Sequence, residues 1–214
     1  MRSFLCNELE PFSYLIYALA FLLQLKHDKS NGYKVLFVYY ILSAVIIYIG
    51  IVYFDNNTWT YNVLFFANIL VLSWYYQKLF DDKRKKMLAV ICTIFNLVIF
   101  AYVNIIALHY DKYNADVYGI SFITIVLYTL LYLHQLLINM KEESLLLNFD
   151  FWLTCGYLLY FLGAFFIIIY YDHNKNYYTR GDMWQMHNVI LFICSAVTFF
   201  TSLQIYKKNN LHHV

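Results

Sequence analysis

Residues 33–54 read YKVLFVYYILSAVIIYIGIVYF, and Lys34 is the only charged residue among them. A helix needs about 20 mainly apolar residues to cross a hydrocarbon core of about 30 Å. This stretch reaches that length, and polar residues flank it on both sides. It therefore predicts a transmembrane helix.

Six further apolar stretches accompany the first along the 214-residue chain. Because lipid offers backbone N–H and C=O groups no partners, such stretches are expected to be helices whose backbone is satisfied internally. The sequence thus predicts an all-α polytopic membrane protein, a seven-transmembrane-helix bundle that forms a single domain over residues 1–214. The predicted spans are residues 10–25, 33–54, 60–80, 86–108, 117–140, 151–171 and 183–207.

The composition supports a membrane protein and excludes a soluble one. Hydrophobic residues make up 62% of the chain and charged residues 13%, against roughly 25% charged residues in soluble domains. The loops between the stretches are too short to hold a soluble catalytic module. We therefore expect a multi-pass protein of the cell inner (plasma) membrane that acts within or at the bilayer.

The basic residues predict the orientation, because lysines and arginines in short loops are retained in the cytoplasm. Eleven of the 15 lie on one side of the predicted bundle and four on the other. The N-terminus is therefore expected outside and the C-terminus inside. The run at residues 83–86 follows this rule, so we interpret it as a topology determinant and not as a nucleic-acid patch. The larger set is Lys26, Lys29, Lys34, Lys78, Lys83, Arg84, Lys85, Lys86, Lys141, Lys207 and Lys208, and the smaller is Arg2, Lys112, Lys175 and Arg180.

Two residue types indicate how the helices pack. Gly156 and Gly163 are seven residues apart, so they lie on one helical face and predict the close approach of a neighbouring helix. Many of the 23 tyrosines fall at span ends, where amphipathic rings anchor a helix at the interface. We interpret Tyr33, Tyr75 and Tyr76 among others in this way.

Polar side chains in lipid are costly and turn toward the bundle interior or a wet cavity. Seven such residues fall at a similar inferred depth in the outer part of the bundle, which predicts an outward-facing ligand pocket. Glu10 is the only acid in this set, and we expect it to reach water or to hydrogen-bond His187 or an asparagine. The predicted ligand-binding residues are Glu10, Asn62, Asn104, Ser121, Trp184, His187 and Asn188.

Two other functions remain as alternatives. His109, His173 and His187 fall at the outer face, where three ligands and a water could form a catalytic zinc site of a lipid hydrolase. An uncoupled small-molecule transporter is the second alternative, because no charged residue lies at mid-span to couple transport to an ion. The sequence predicts no catalytic residue, metal site or cofactor, and the four cysteines show no C-x-x-C spacing.

A motif in the last third of the chain carries a family resemblance. Residues 151–160 fit F-W-x-x-x-G-x-x-x-Y, and residues 184–188 fit W-x-x-H-N. The region resembles small seven-helix membrane proteins of Bacteroidetes, which are often encoded beside two-component signalling proteins. The resemblance implies sensing or scaffolding and brings no catalytic activity with it. The matching positions are Trp152, Gly156, Tyr160, Trp184, His187 and Asn188.

These observations favour an integral membrane sensory or interaction subunit. It would bind a small or lipidic ligand in the outer polar pocket and signal to a cytoplasmic partner. The expected partners are the lipid bilayer and a cytoplasmic signalling protein, with a homo-oligomer left open and no nucleic acid expected.

Overall fold

The computed structural model describes residues 8–26, 30–54, 58–106, 114–139, 145–173 and 177–211. Seven long helices account for nearly all of these residues, and no strand occurs among them. They are α1 (Leu9–Leu25), α2 (Asn31–Tyr53), α3 (Thr58–Leu79), α4 (Lys83–Ala101), α5 (Ala115–Asn139), α6 (Phe149–His173) and α7 (Tyr177–Leu211). The all-α class is confirmed, and the helices follow the predicted apolar stretches. Residues 108 and 140, at two predicted span ends, lie outside the described residues.

Short polar side chains begin four of the helices. Ser30, Asp82, Asn114 and Asn148 each accept a hydrogen bond from a backbone N–H two or three residues further on. The first N–H groups of a helix have no partner within the helix, so a side-chain oxygen at this position stabilises the start. The starts of these four helices are therefore determined by local capping residues as well as by hydropathy.

Five helices in the described residues are long and apolar enough to cross a membrane. They correspond to α2, α4, α5, α6 and α7. Helix α1 is apolar but shorter, and α3 is not among the five. The apolar character of the bundle is consistent with a helical membrane protein, and large apolar side chains such as Leu42, Val98 and Leu159 are exposed on its outside.

The helices pack as a ring of six with one helix outside it. Around the ring α1 contacts α2, α2 contacts α3, α3 contacts α5, α5 contacts α6, α6 contacts α7, and α7 returns to α1. Helix α4 packs on the outside of the ring, against α3 and α5. Only 17% of its apolar window is buried, against 33–50% in the other four long apolar helices. It ends in a π-helical turn, Tyr102–Ile106.

Tyrosines fill the centre of the ring. Tyr17, Tyr76 and Tyr157 are among the largest fully buried side chains. Buried tyrosine hydroxyls usually have a hydrogen-bond partner; those of Tyr76 and Tyr157 have one across the ring, and that of Tyr17 has none among the described residues. Tyr40 Oη donates to Tyr157 Oη at 2.5 Å, and Tyr76 Oη donates to Thr154 Oγ1 at 3.3 Å.

The interpretation of span-end tyrosines as interface anchors is wrong for three of them. Tyr33, Tyr75 and Tyr76 are all buried, because they lie on the helix faces that point into the ring. Tyr53 and Tyr170 fit the interpretation better, since both are more than half exposed.

Both glycines of α6 face α7. A Cβ at Gly156 would lie 3.1 Å from Thr198 Oγ1, and a Cβ at Gly163 would lie 3.4 Å from Ile190 Cδ1. The absence of side chains at these two positions lets α7 approach closely along one face of α6.

Candidate functional site

A small cavity lies between the N-terminal halves of α1, α3 and α7, beside α2 and α6. Its volume is about 20 Å³, which is enough for roughly one water molecule. Acidic, phenolic, amide and imidazole groups line it together with large apolar side chains. The lining residues are Glu10, Tyr14, Tyr39, Tyr61, Leu64, Phe65, Asn68, Tyr160, Ile168, Trp184 and His187.

Glu10 supplies the acidic group of this cavity. It lies in the first turn of α1 and is only 2% exposed. Tyr61 Oη on α3 donates a hydrogen bond to Glu10 Oε2 at 3.1 Å. A carboxylate that is charged, dry and unpaired costs several kcal/mol, so this phenol stabilises an otherwise unfavourable position.

His187 on α7 supplies the imidazole. Its Nε2 lies 2.9 Å from Tyr160 Oη, and its Nδ1 lies 3.0 Å from Asn188 Oδ1. The neutral tautomer with the proton on Nδ1 satisfies both contacts, because Nδ1–H then donates to Asn188 and Nε2 accepts from Tyr160. The two neighbours therefore fix the orientation of the imidazole ring.

Trp184 closes the cavity with aromatic surface. Its ring stacks on that of His187 with centroids 4.9 Å apart, and it meets the ring of Tyr61 edge to face at 5.1 Å. The carboxylate of Glu10 is thus surrounded by electron-rich rings from α1, α2, α3 and α7. Such a setting is suited to a small cation, which is attracted both by the carboxylate and by the ring faces.

The structure brings three of the seven predicted site residues to this cavity. Glu10, Trp184 and His187 line it. Asn188 is fully buried and contacts it indirectly, through His187.

The other three predicted residues lie away from the cavity, and two of them, Asn62 and Ser121, join helices. Asn62 Oδ1 accepts from Tyr118 Oη, which links α3 to α5. Ser121 Oγ lies 3.0 Å from Asn96 Oδ1, which links α5 to α4. Asn104 Nδ2 donates to the carbonyl of Phe100 in its own helix at 3.0 Å. The prediction rested on a common inferred depth of the seven residues, which does not determine the direction of each side chain.

Sequence reasoning missed most of the remaining lining residues. Tyr61 and Asn68 on α3, Tyr14 on α1 and Tyr39 on α2 were not among the predicted set, although Tyr39 lies on a small-residue and polar stripe of α2. Tyr160 was singled out only through the motif of α6. The useful signal was a tyrosine one helical turn from a buried acid or histidine, but it is obscured by the abundance of tyrosine in this chain.

Of the three histidines of the zinc alternative, the side chain of His187 alone lies within the described residues. Those residues contain no group of three or more His, Cys, Asp and Glu side chains arranged to hold a metal ion. His109 lies outside the described residues, as does the side chain of His173. His187 bonds to a phenol and an amide instead.

The fold and site define a helical bundle of membrane-protein character with a buried acid at one end. Comparison with known protein families, with curated proteins and with solved structures finds no match for this chain. Its function is therefore argued from its own geometry.

Proposed function

We propose that the chain is a seven-helix sensory or interaction subunit of a bacterial plasma membrane, with its N-terminus outside and its C-terminus inside. It binds a small ligand at the cavity around Glu10 and transmits a helix displacement to a cytoplasmic signalling protein. The observation that carries this proposal is the buried Glu10 carboxylate beside a polar cavity of about 20 Å³.

The chemistry of the cavity favours a ligand with an amine or ammonium group. Glu10 supplies a carboxylate, and the aromatic rings of Tyr14, Tyr39 and Trp184 also line the cavity, where electron-rich rings favour a cation. A cation would also compensate the buried carboxylate, which accepts a hydrogen bond from Tyr61. An anionic ligand would be repelled by the same group.

The size of the cavity implies two packing states. It holds roughly one water, so a larger ligand requires α1, α3 and α7 to separate. Breaking the bond between Tyr61 and Glu10 would release the outer end of α3 from α1. A ligand that binds only the separated state shifts the population toward it.

Helix α3 offers a route from the cavity to the opposite end of the bundle. Tyr61 lies near its first turn, and Lys78 lies in its last turn. The basic run at residues 83–86 follows at the start of α4. A displacement of α3 would thus move the segment that the charge asymmetry places on the cytoplasmic side, where a partner would detect it.

Distance measurements between spin labels test both binding and transmission. Labels at the exposed residues Lys83 and Lys208 would be attached to cysteines in a chain whose four native cysteines are replaced by alanine. Methylammonium and ethylammonium serve as probes, and methanol and ethanol serve as uncharged controls of similar size. The proposal predicts that the amines shift the distance distribution, that the alcohols do not, and that Glu10→Gln abolishes the shift.

An unchanged distribution with both amines would overturn the proposal. Liposome flux of the same amines distinguishes the transport alternative, and bound-metal analysis of the purified protein distinguishes the hydrolase alternative.

A further inference from the structure

A second, larger cavity lies at the end of the bundle opposite Glu10. Its volume is about 300 Å³, at the lower end of the range typical of small-molecule sites. The start of α2, the last two turns of α3 and the start of α6 enclose it. Its lining residues are Ser30, Asn31, Gly32, Tyr33, Trp74, Tyr75, Lys78, Leu79 and Asp150.

One wall of this cavity carries a fixed negative charge. Asp150 lies in the first turn of α6 and is partly buried. Tyr33 Oη and Tyr75 Oη both donate to Asp150 Oδ1, at 2.8 Å and 2.5 Å. Two phenols from two other helices thus hold the carboxylate in place, and hydrogen bonds to a charged acceptor are stronger than neutral ones.

Another part of the lining carries positive charge. Lys78 lies in the last turn of α3, and its Nζ is 5.7 Å from the centre of the Trp74 ring. Asn31 and Gly32 form the start of α2, where the aligned peptide dipoles place a partial positive charge. The ammonium and the helix start together suit an anion such as a phosphate.

We propose that this cavity binds a group in which a phosphate is joined to a primary amine, as in the headgroup of phosphatidylethanolamine. The phosphate contacts Lys78 and the start of α2, and the amine contacts Asp150 between the rings of Tyr33 and Trp74. A simple anion would meet the Asp150 carboxylate, and a simple cation would meet the Lys78 ammonium. A zwitterion can place its amine at Asp150 and its phosphate at Lys78.

The position of the cavity agrees with a lipid as the source of this group. Every lining residue lies near the end of a helix, which is the depth of the headgroups when a helix spans the hydrocarbon core. Trp74 and the tyrosines are the residue types that favour this interfacial layer. A soluble phosphoethanolamine diester has the same recognisable chemistry, so the experiment needs one arm for each source.

Native mass spectrometry of the purified full-length protein tests the proposal. Micelles would contain equal amounts of phosphatidylethanolamine and phosphatidylglycerol with identical acyl chains, so that both contain the phosphate and differ only in the alcohol attached to it, ethanolamine or glycerol. The expected result is that the protein retains phosphatidylethanolamine at least about tenfold better, the effect of one hydrogen bond to a charged group. In the second arm, glycerophosphoethanolamine competes with the bound lipid.

Three variants test which lining residue contacts the amine and which contacts the phosphate. Asp150→Asn should lower retention of phosphatidylethanolamine to that of phosphatidylglycerol, because the amine loses its counter-charge. Lys78→Gln should lower the retention of both lipids, because both contain the phosphate. Lys86→Gln is the matched control, since this lysine is exposed at the start of α4 and does not line the cavity.

Equal retention of the two lipids by the unaltered protein would overturn the proposal, as would unchanged selectivity in Asp150→Asn. If Asp150→Asn does not fold, the exposed Lys78 still provides the test, and unchanged retention in Lys78→Gln would equally overturn it. Displacement of the lipid by glycerophosphoethanolamine supports the site and assigns a soluble ligand. Failure to displace a selectively retained lipid supports the site and assigns the lipid.

Discussion

The phenol of Tyr61 lies 3.1 Å from the carboxylate of Glu10, and this hydrogen bond joins the N-terminal ends of α1 and α3. These helices are not neighbours in the ring, because α2 lies between them in its packing order. The bond therefore ties two elements whose separation the proposed function requires. Glu10 is buried and Tyr61 is half-buried, so the bond is partly sheltered from competition with water.

Replacing Tyr61 with phenylalanine should lower the stability of the protein in detergent by about 1–3 kcal/mol. The variant keeps the ring but leaves a buried acceptor without its donor. Denaturant unfolding of the purified protein measures the change. Tyr53→Phe is the control, because Tyr53 is 75% exposed and its hydroxyl should contribute little.

The cost of Tyr61→Phe should shrink when Glu10 is already alanine, because alanine removes the acceptor of the Tyr61 hydroxyl. A double-mutant cycle isolates the coupling between the two side chains. Additive effects of the two substitutions would show that the hydrogen bond does not contribute to stability.

The bond between Gln24 and Ser202 joins α1 to α7 at the other end of the bundle. Gln24 Nε2 donates to Ser202 Oγ at 2.7 Å, and Ser202 Oγ donates to the carbonyl of Ala20 at 2.9 Å. Ser202→Ala removes both contacts from a fully buried position. The expected loss is about 1 kcal/mol, since buried interhelical bonds of this kind contribute roughly 0.6–1.7 kcal/mol.

Thr201→Ala provides a neighbouring control for Ser202→Ala. Thr201 Oγ1 donates to the carbonyls of Val197 and Thr198 in its own helix. Melting midpoints of the two variants in the same detergent should differ, with Ser202→Ala the lower. Equal midpoints would contradict a stabilising role for the α1–α7 bond.

The positions of the helices could be predicted from the sequence because hydropathy depends only on local composition. The site could be predicted only in part, because side-chain direction depends on how each helix is rotated in the bundle. On α3 the prediction named Asn62, whereas its neighbour Tyr61 lines the cavity. Adjacent residues on a helix point about 100° apart. A shift of one position along the sequence therefore turns a side chain toward a different neighbouring helix.

The tyrosines illustrate the same limit. Tyr75 and Tyr76 lie near a span end, which the sequence shows, but both are buried. Tyr75 bonds to Asp150, which is more than 70 positions away. No local pattern records such a long-range pair, so neither the buried tyrosines nor the second cavity could be predicted from the chain alone.

Replacing Gly163 with leucine should lower the melting midpoint in detergent. The first added carbon would already lie 3.4 Å from Ile190 Cδ1 on α7, and the remaining atoms of leucine have no space without separating the helices. Overpacking of this kind costs about 1–3 kcal/mol. Leu159→Ala, at an exposed position of the same helix, is a control that should have a much smaller effect, and an unchanged midpoint for Gly163→Leu would contradict the contact.

Reporter fusions test the proposed orientation. Fusions after Lys83 and after Val214 should both report a cytoplasmic location, because eleven of the 15 basic residues lie on that side of the predicted spans. A fusion after Phe54 should report the outside and serves as the opposite control. A periplasmic signal from either of the first two fusions would refute the N-out, C-in orientation.

The closest approach between α2 and α3 gives the sharpest packing prediction. A Cβ at Gly50 would lie 2.6 Å from Thr60 Cγ2 and 3.3 Å from Thr60 Cβ. Thr60 is 1% exposed and β-branched, so its side chain has few other rotamers to adopt. Gly50→Ala should therefore destabilise the protein by about 1–3 kcal/mol, even though alanine favours a helix more than glycine does.

Gly32→Ala is the matched control on the same helix, because its Cβ would meet the Tyr75 ring at an ordinary 3.6 Å. Adding Thr60→Ala to Gly50→Ala should recover part of the lost stability by removing the clashing atoms. Denaturant unfolding measures the stability of the unaltered protein, the two single variants and the double variant. A Gly50→Ala variant as stable as Gly32→Ala would show that α2 and α3 do not approach this closely.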